Sequence, residues 1–365
     1  MKILVINKHQ ADAMGGSEIQ CDIIARSLGK RGHDILYLAV KGKRDSYGTP
    51  YRVRTWDTDP GELETVCGEF SPDLVYWRYN KVRLRRSIRV FKRLGIPVVL
   101  GISHIRDVRR MYMEKIKLNS LRNAVKVPAV FYRFLVNFYN HGAYRDLAGA
   151  VCLNPEYMDM IPCERKIFIP DIMEEEAVEF NWERDFCLWV ANIKPRKNPE
   201  KYIELARALE KSGVDFLMAG GIQSASCEWI RKSSGHPGNF HYLGPRTLKE
   251  VNGMLEKSLF LVHTCDPEGF GDNFIQAWLK GKPAVSLYFD PAGYLEKEKI
   301  GFCPGNTEGF VKDTERLIEN PGLRREMGER AGEFARRVFD PEMNTGKLEE
   351  FLNKLSNLRG AESQS

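Results

Sequence analysis

Residues 260–286 read FLVHTCDPEGFGDNFIQAWLKGKPAVS, a stretch that permits few local structures. Phe260, Leu261 and Val262 form a short apolar run, Glu268-Gly269-Phe270-Gly271 a glycine loop, and the residues from Phe274 a helical pattern. Asn273 suits a helix N-cap, Gly281 suits the left-handed position after a helix, and Pro283 cannot continue one. A glycine loop that feeds a helix start presents unpaired backbone N–H groups and the positive end of the helix dipole, which together hold a phosphate. Glu268 would repel a phosphate at the mouth of such a site, so its carboxylate is expected to accept hydrogen bonds from neighbouring sugar hydroxyls. A sugar joined to a diphosphate meets both demands.

The rest of the chain repeats this rhythm. Residues 3–6 and 35–40 read as buried strands around a helix with Ile19, Ile23, Ile24 and Leu28 on one side, a βαβ unit. Ser17 and Gln20 have capping-box spacing, and Gly29 and Gly32 mark the helix end. Gly15 and Gly16 fall on the first strand-to-helix loop, the edge where an open parallel sheet binds ligands, and no G-x-G-x-x-G dinucleotide fingerprint is present. Strands at 74–77 and 97–100 flank a very basic helix at 82–94, and His104 stands just beyond the second of them. Residues 148–153 and 166–169 read as the last strands of a first sheet, and 173–185 as a polar acidic join.

The second half restarts with strands at 187–190, 215–219 and 240–243, helices at 199–211 and 248–256, and then the opening stretch. Helices follow at 307–320, 321–338 and 341–358. The expectation is an α/β chain of two doubly wound parallel-sheet, Rossmann-like domains, 1–175 and 176–340, then the helix 341–358 and a disordered tail 359–365.

A length of 365 residues, 43% hydrophobic and 28% charged, is that of an ordinary soluble protein of two or three domains. The eight cysteines show no C-x-x-C spacing, so buried reduced thiols are expected rather than a zinc or iron–sulfur site. No run of 18 apolar residues occurs and 2–6 already reads as a strand, so a cytoplasmic location is expected. The net charge of +6 is mild and does not imply nucleic acid. Its distribution is uneven, with fifteen basic and two acidic residues between Lys81 and Arg133. Residues 125–144 read first as a core helix, and alternatively as a partly exposed amphipathic surface leaning on anionic lipid.

The 260–286 segment resembles the donor-site signature of the GT-B fold retaining glycosyltransferases of family four, glycosyl transferases group 1. In that family a second Glu follows the first by eight positions, where this chain has Gln276. Gly15-Gly16-Ser17-Glu18, with Arg31-Gly32-His33 beyond the helix, is similar to the family's N-terminal signature. The loop 191–198 is similar to one that carries Gly-Arg and then a Lys: Lys197 matches the lysine, Asn192 stands at the arginine, and Lys194 or Arg196 is left to supply that charge.

The resemblance implies two domains facing an interdomain cleft, with helix 341–358 crossing back onto the first. It implies transfer of a sugar from a nucleoside diphosphate sugar to an acceptor hydroxyl, in cell-surface glycan, polysaccharide or glycolipid synthesis. Glu268, Lys197 and His104 take the catalytic places, and Gly15, Gly16, Gly269, Phe270, Gly271, Gln276, Asn192 and Arg196 the donor-binding ones. The expected enzyme is of hexosyltransferase type, without metal or cofactor. A GT-B-like nucleotide-sugar epimerase and a non-catalytic nucleotide-sugar-binding scaffold are the alternatives. Asp57-Thr58-Asp59 carries the letters of the metal-binding motif of the other glycosyltransferase fold, but it precedes Pro60-Gly61 in a surface turn. The expected partners are the donor, a glycan or lipid-linked acceptor, and an anionic membrane surface met by the basic region 81–133, placing the protein peripherally on the inner face of the cell membrane; nucleic acid is not expected.

Overall fold

The computed structural model describes residues 1–13, 15–44, 46–79, 83–112, 127–232, 234–265 and 270–362. The chain divides into two compact units, Met1–Ile172 with Glu342–Ser365, and Met173–Pro341.

The first unit is built on a sheet in the order β3-β2-β1-β4-β5-β6-β7. Its strands are β1 (Lys2–Asn7), β2 (Asp34–Val40), β3 (Arg52–Trp56), β4 (Leu74–Trp77), β5 (Val98–Ile102), β6 (Gly149–Cys152) and β7 (Lys166–Phe168). Every pairing is parallel, with Ile3 opposite both Ile35 and Leu74. The helices are α1 (Gly16–Lys30), α2 (Glu62–Phe70), α3 (Leu84–Arg93), α4 (Ile105–Val108) and α5 (Val127–His141).

Side chains alternate across a strand, and both faces of this sheet are buried. Leu4, Ile6, Leu36, Leu38, Val75 and Trp77 pack with Leu63, Phe70, Leu84, Ile88 and Phe91 of α2 and α3. The intervening Ile3, Val5, Ile35 and Tyr37 are buried on the other face, where α1 packs. The edge strand β3 and helix α2 carry too many polar residues to stand out as apolar runs; β3, RVRTW, buries only Trp56.

The second unit has a sheet in the order β10-β9-β8-β11-β12-β13. Its strands are β8 (Phe186–Val190), β9 (Asp215–Ala219), β10 (Phe240–Gly244), β11 (Leu261–His263), β12 (Ala284–Ser286) and β13 (Gly301–Phe302), again all parallel. Its helices are α6 (Pro199–Ala208), α7 (Leu248–Lys257), α8 (Asp272–Leu279), α9 (Tyr294–Lys297), α10 (Thr307–Glu319) and α11 (Pro321–Val338). Residues of one parity, Phe186, Leu188, Leu217 and Leu261, pack with α7, α8 and α11. Those of the other parity, Cys187, Trp189, Phe216 and Val262, pack with α6 and α10. Two core layers on one sheet require continuous apolar strands, which this half of the chain supplies.

The last helix, α12 (Pro341–Glu362), returns to the first unit. Leu348, Leu352 and Leu355, spaced along one face, are buried there, and Gly149 leaves the room that a Cβ would take from Leu355. Arg31 pairs with Glu342 at 2.8 Å and Glu349 at 3.1 Å, and His33 with Glu349 at 2.8 Å.

Several local expectations are corrected. Residues 359–362, expected in a disordered tail, continue α12. The acidic join is tied to α7, where Asn252 Nδ2 donates to the carbonyls of Glu174 and Glu176, and Val178 N–H to that of Lys249. Ser17 and Gln20 form no capping box, because the α1 N-cap is Gly15 without a side-chain cap. Gln20 is instead fully buried, its Nε2 donating to Ile172 O at 3.0 Å while its Oε1 accepts from Ile172 N–H at 2.9 Å. A carboxamide can serve a backbone donor and acceptor at once, and it clamps the chain where the first unit ends. Gln20→Leu keeps the volume but strands both Ile172 groups; urea unfolding should show a loss of about 1–3 kcal/mol for each orphaned group.

Candidate active site

A parallel sheet binds ligands outside the carboxyl ends of its strands, at the point where strand order reverses. In the second unit that point lies between β8 and β11, whose loops hold 191–198 and 264–271. The loop after β8 is fastened along its length. Ala191 N–H donates to Ala219 O at 3.2 Å and Ile193 N–H to Gly221 O at 2.9 Å, and Ile193 bridges Ile222. Gly220 makes this possible: its φ is +146° and a Cβ there would stand 1.8 Å from Ala191 O. Asn192 is held half-buried within this ladder.

Lys197 closes a short 3-10 turn, Pro195–Lys197, and Asn198 follows in the left-handed conformation at φ 47°. Asparagine accepts that conformation more readily than most residues. Thr264 binds the turn to β11. Its hydroxyl accepts from Trp189 Nε1 at 2.8 Å and donates to Lys197 O at 2.7 Å, while Asn198 Nδ2 donates to Thr264 O at 2.9 Å. Lys197 is half-buried and Arg196 exposed beside it.

Helix α8 starts at Asp272 behind Gly271, whose φ of +89° a side chain would not tolerate. Asn273 is therefore not the N-cap; inside the first turn, its Nδ2 reaches back to Val190 O at 3.0 Å. That bond ties the helix start to the carboxyl end of β8. Phe270 is buried against Tyr294 and Phe339, anchoring the loop end. Gln276 is 7% exposed, and its Nε2 donates to Asn252 Oδ1 at 3.0 Å. Lys197, Gly271 and the α8 N-terminus are thus gathered at one reversal point. Glu268 and Gly269 lie outside the described residues.

In the first unit the reversal point lies between β1 and β4. Gly15 and Gly16 open α1 there, and Asn7, ending β1, donates to Ser17 O and Oγ, both at 3.0 Å. The preceding loop is seated on His9, only 1% exposed: Asp12 and Ala13 N–H donate to its carbonyl and Ala11 N–H to its Nδ1. Its Nε2 therefore carries the proton, donating at 3.1 Å to the Tyr51 hydroxyl, which in turn donates to Asp22. Burial lowers the His9 pKa, opposed by Asp22 and Asp12 and aided by Arg44.

His104, beyond β5 on the same edge, caps the short α4. Its Nδ1 accepts from Arg106 N–H at 3.0 Å, and its own N–H donates to Asp107 at 3.2 Å. Its Nε2 is thus the protonated nitrogen.

Two residues were not singled out from the sequence. Thr264 carries no local signal, standing two residues beyond the apolar run Phe260–Val262. Arg78, directly after the buried β4, has one: a cation at the carboxyl end of an apolar strand. Its side chain is 2% exposed and Nη2 reaches Asp171 at 2.9 Å, while Nε and Nη1 have no hydrogen-bond partner among the described residues. Burial acts against the Arg78 charge, and Asp171 holds it in place. Beside it, burial pushes the Cys21 thiol up to about 12. Among the described residues no group of three or more His, Cys, Asp or Glu is placed to hold a metal, and none of the eight cysteines is in a disulfide.

Thr264→Val keeps shape but breaks both hydroxyl bonds. It should cost about 1–3 kcal/mol in urea unfolding, with faster hydrogen exchange at the Lys197 and Asn198 amides. His9, neutral when folded, stabilises the fold fully above about pH 6.5, the ordinary histidine value. That contribution is lost as pH falls from there through its lowered folded value. Unfolding curves at pH 7.5 and 5.5 should show a smaller acid loss in His9→Asn than in the parent.

Residues 173–334 match the family described as glycosyl transferases group 1. A trehalose synthase of Pyrococcus horikoshii is 25% identical over 197 residues, 51% of this chain and 47% of that protein, so the chain spans about half the length of the curated relative it matches. Sucrose-phosphate synthase of Thermosynechococcus elongatus shares the fold over 97% of this chain and 99% of its own, with a TM-score of 0.76 at 14% identity. A variant of S. aureus TarM, in complex with fondaparinux, alpha-GlcNAc-glycerol and UDP, matches 79% of this chain and 58% of its own, with a TM-score of 0.56 at 16% identity. Residues 173–334 thus match glycosyl transferases group 1, within a chain whose two parallel-sheet units have the GT-B fold.

Proposed function

We propose that the protein is a retaining glycosyltransferase that moves a sugar from a nucleoside diphosphate sugar to an acceptor hydroxyl. The observation that carries this is the gathering of Lys197, Gly271 and the α8 N-terminus at the reversal point of a unit that matches the family. Backbone N–H groups at a helix start and one ammonium group form an anion site suited to a diphosphate. The UDP in the complex of TarM, which is similar in fold, supports a nucleoside diphosphate as part of the donor.

In the reaction, the bond between the anomeric carbon and the donor phosphate oxygen breaks while the acceptor oxygen attacks on the same face. The acceptor proton passes to the leaving phosphate. Lys197 and the α8 N-terminus stabilise the growing negative charge, each well-placed donor contributing about 3–4 kcal/mol to the barrier. Lys194 or Arg196 adds a second cation where Asn192 provides none. Glu268 accepts hydrogen bonds from the sugar hydroxyls, and His104, its Nδ1 already committed to the α4 cap, offers the protonated Nε2 to the sugar. Gln276 presents its carboxamide oxygen to the ribose, its nitrogen being held by Asn252. Gly15 and Gly16 let backbone approach the donor diphosphate and the acceptor.

No step in this scheme calls for a metal or cofactor, so transfer is expected to persist in EDTA. The acceptor is a glycan or lipid-linked hydroxyl, and the basic region 81–133 faces an anionic membrane surface, peripherally on the cytoplasmic side.

A thermal-shift screen over UDP-, GDP- and ADP-sugars identifies the donor, and a transfer assay then tests the roles. Lys197→Ala and Glu268→Ala should each lower the rate on the order of tenfold or more with an unchanged melting temperature. Rates within about threefold of the parent would refute the assignment.

A further inference from the structure

Helix α5 is not the core helix that 125–144 first implied. Phe131, Tyr132, Leu135, Phe138 and Tyr139 on it are between 38% and 56% exposed. At about 100° per residue these five positions fall within an arc of about 120°, one continuous face. On the other side of the helix Val130, Asn140 and His141 are buried, while Arg133 is exposed. A contiguous apolar and aromatic face of this size on a soluble unit marks a contact surface rather than a stray exposed residue.

The segment after α4 meets α5 at the edge of this face, through Asn137 and Phe138. Asn137 Nδ2 donates to the carbonyls of Arg109 and Arg110, at 3.0 and 3.5 Å, and Met111 beside them is 69% exposed. Cations rim the patch: Arg110 lies over the Phe138 ring at 4.1 Å and Arg85 of α3 over the Tyr139 ring at 4.8 Å. Neither α3 nor α5 contains an acidic residue. Aromatic rings flanked by arginines, with no acid on either helix, complement a surface that is apolar within and negative at its face. The helix is too short to span a bilayer: its 15 residues extend about 22 Å against a hydrocarbon core of about 30 Å. Among the described residues no helix is long and apolar enough to cross a membrane.

We propose that α5 is an interfacial docking helix, which lies along an anionic phospholipid surface with Phe131, Leu135 and Phe138 in the headgroup boundary and Arg85, Arg109 and Arg110 on the lipid phosphates. This deepens the membrane part of the proposed function by naming the element that makes the contact. Docking this face would hold the first unit, which carries the Gly15-Gly16 loop, against the surface where a lipid-linked acceptor resides.

The test uses the full chain and vesicles of phosphatidylcholine, with or without phosphatidylglycerol, in a sedimentation assay without donor or acceptor. The protein is expected to pellet with the anionic vesicles only and to be released by salt. The triple variant F131S/L135S/F138S should lose binding about tenfold or more with the parent's melting temperature. L135W leaves the face apolar and reports on it directly: its added emission should shift to the blue when anionic vesicles are present. Equal binding to neutral vesicles, binding untouched in the triple variant, or an indole at 135 that stays in water would each overturn the proposal. So would a dimer in gel filtration that the triple variant abolishes, which would assign the face to a second copy of the chain. Loss of transfer in Lys197→Ala and loss of vesicle binding in the α5 variants are separate readouts, so either reading can fail alone.

Discussion

Parallel strand pairing is the constraint on which the rest of this structure depends. A parallel ladder cannot be closed by a hairpin, so every strand must be followed by a crossover that covers one face of the sheet. Both sheets obey this throughout, and the result is two buried faces and one edge where all carboxyl ends meet. Where the order reverses, consecutive crossovers leave in opposite directions and their loops part. That parting places the Gly15-Gly16 loop beside Arg78 in one unit, and the Lys197 turn beside the start of α8 in the other. The sites are therefore consequences of strand order, before any side chain is considered.

Within the second unit the loops are held by bonds to backbone. Thr264, Asn198 and Asn273 each fasten one site segment to a strand end or its neighbour. Bonds of this kind hold the Lys197 turn and the start of α8 in register. Preorganised donors of this kind need no rearrangement when charge develops.

The same wiring accounts for one departure from the family pattern. Asn252 spends its amide hydrogens on Glu174 and Glu176 carbonyls, which leaves its oxygen to receive a donor. Gln276 supplies that donor from a buried position, and a carboxylate there would face an oxygen with nothing to give. Nothing comparable in the structure explains Asn192 in place of an arginine.

The sequence by itself determined the fold class, because continuous apolar strands alternating with amphipathic helices have one economical arrangement, and it placed the glycine loops at strand ends because glycine punctuates them. It missed β3 and α2, whose edge position lets them be polar, and it misassigned Gln20 and Asn273, whose partners lie 152 and 83 residues away in the chain. Thr264 was invisible for the same reason: a hydroxyl is ordinary until the fold puts a tryptophan N–H and a lysine carbonyl beside it. Only tertiary structure decided that α5 turns its aromatic face outward, since an apolar stripe at helical spacing is identical in sequence whether a sheet covers it or nothing does. Local periodicity encodes which face is apolar; what that face meets is set by contacts between residues distant in the chain.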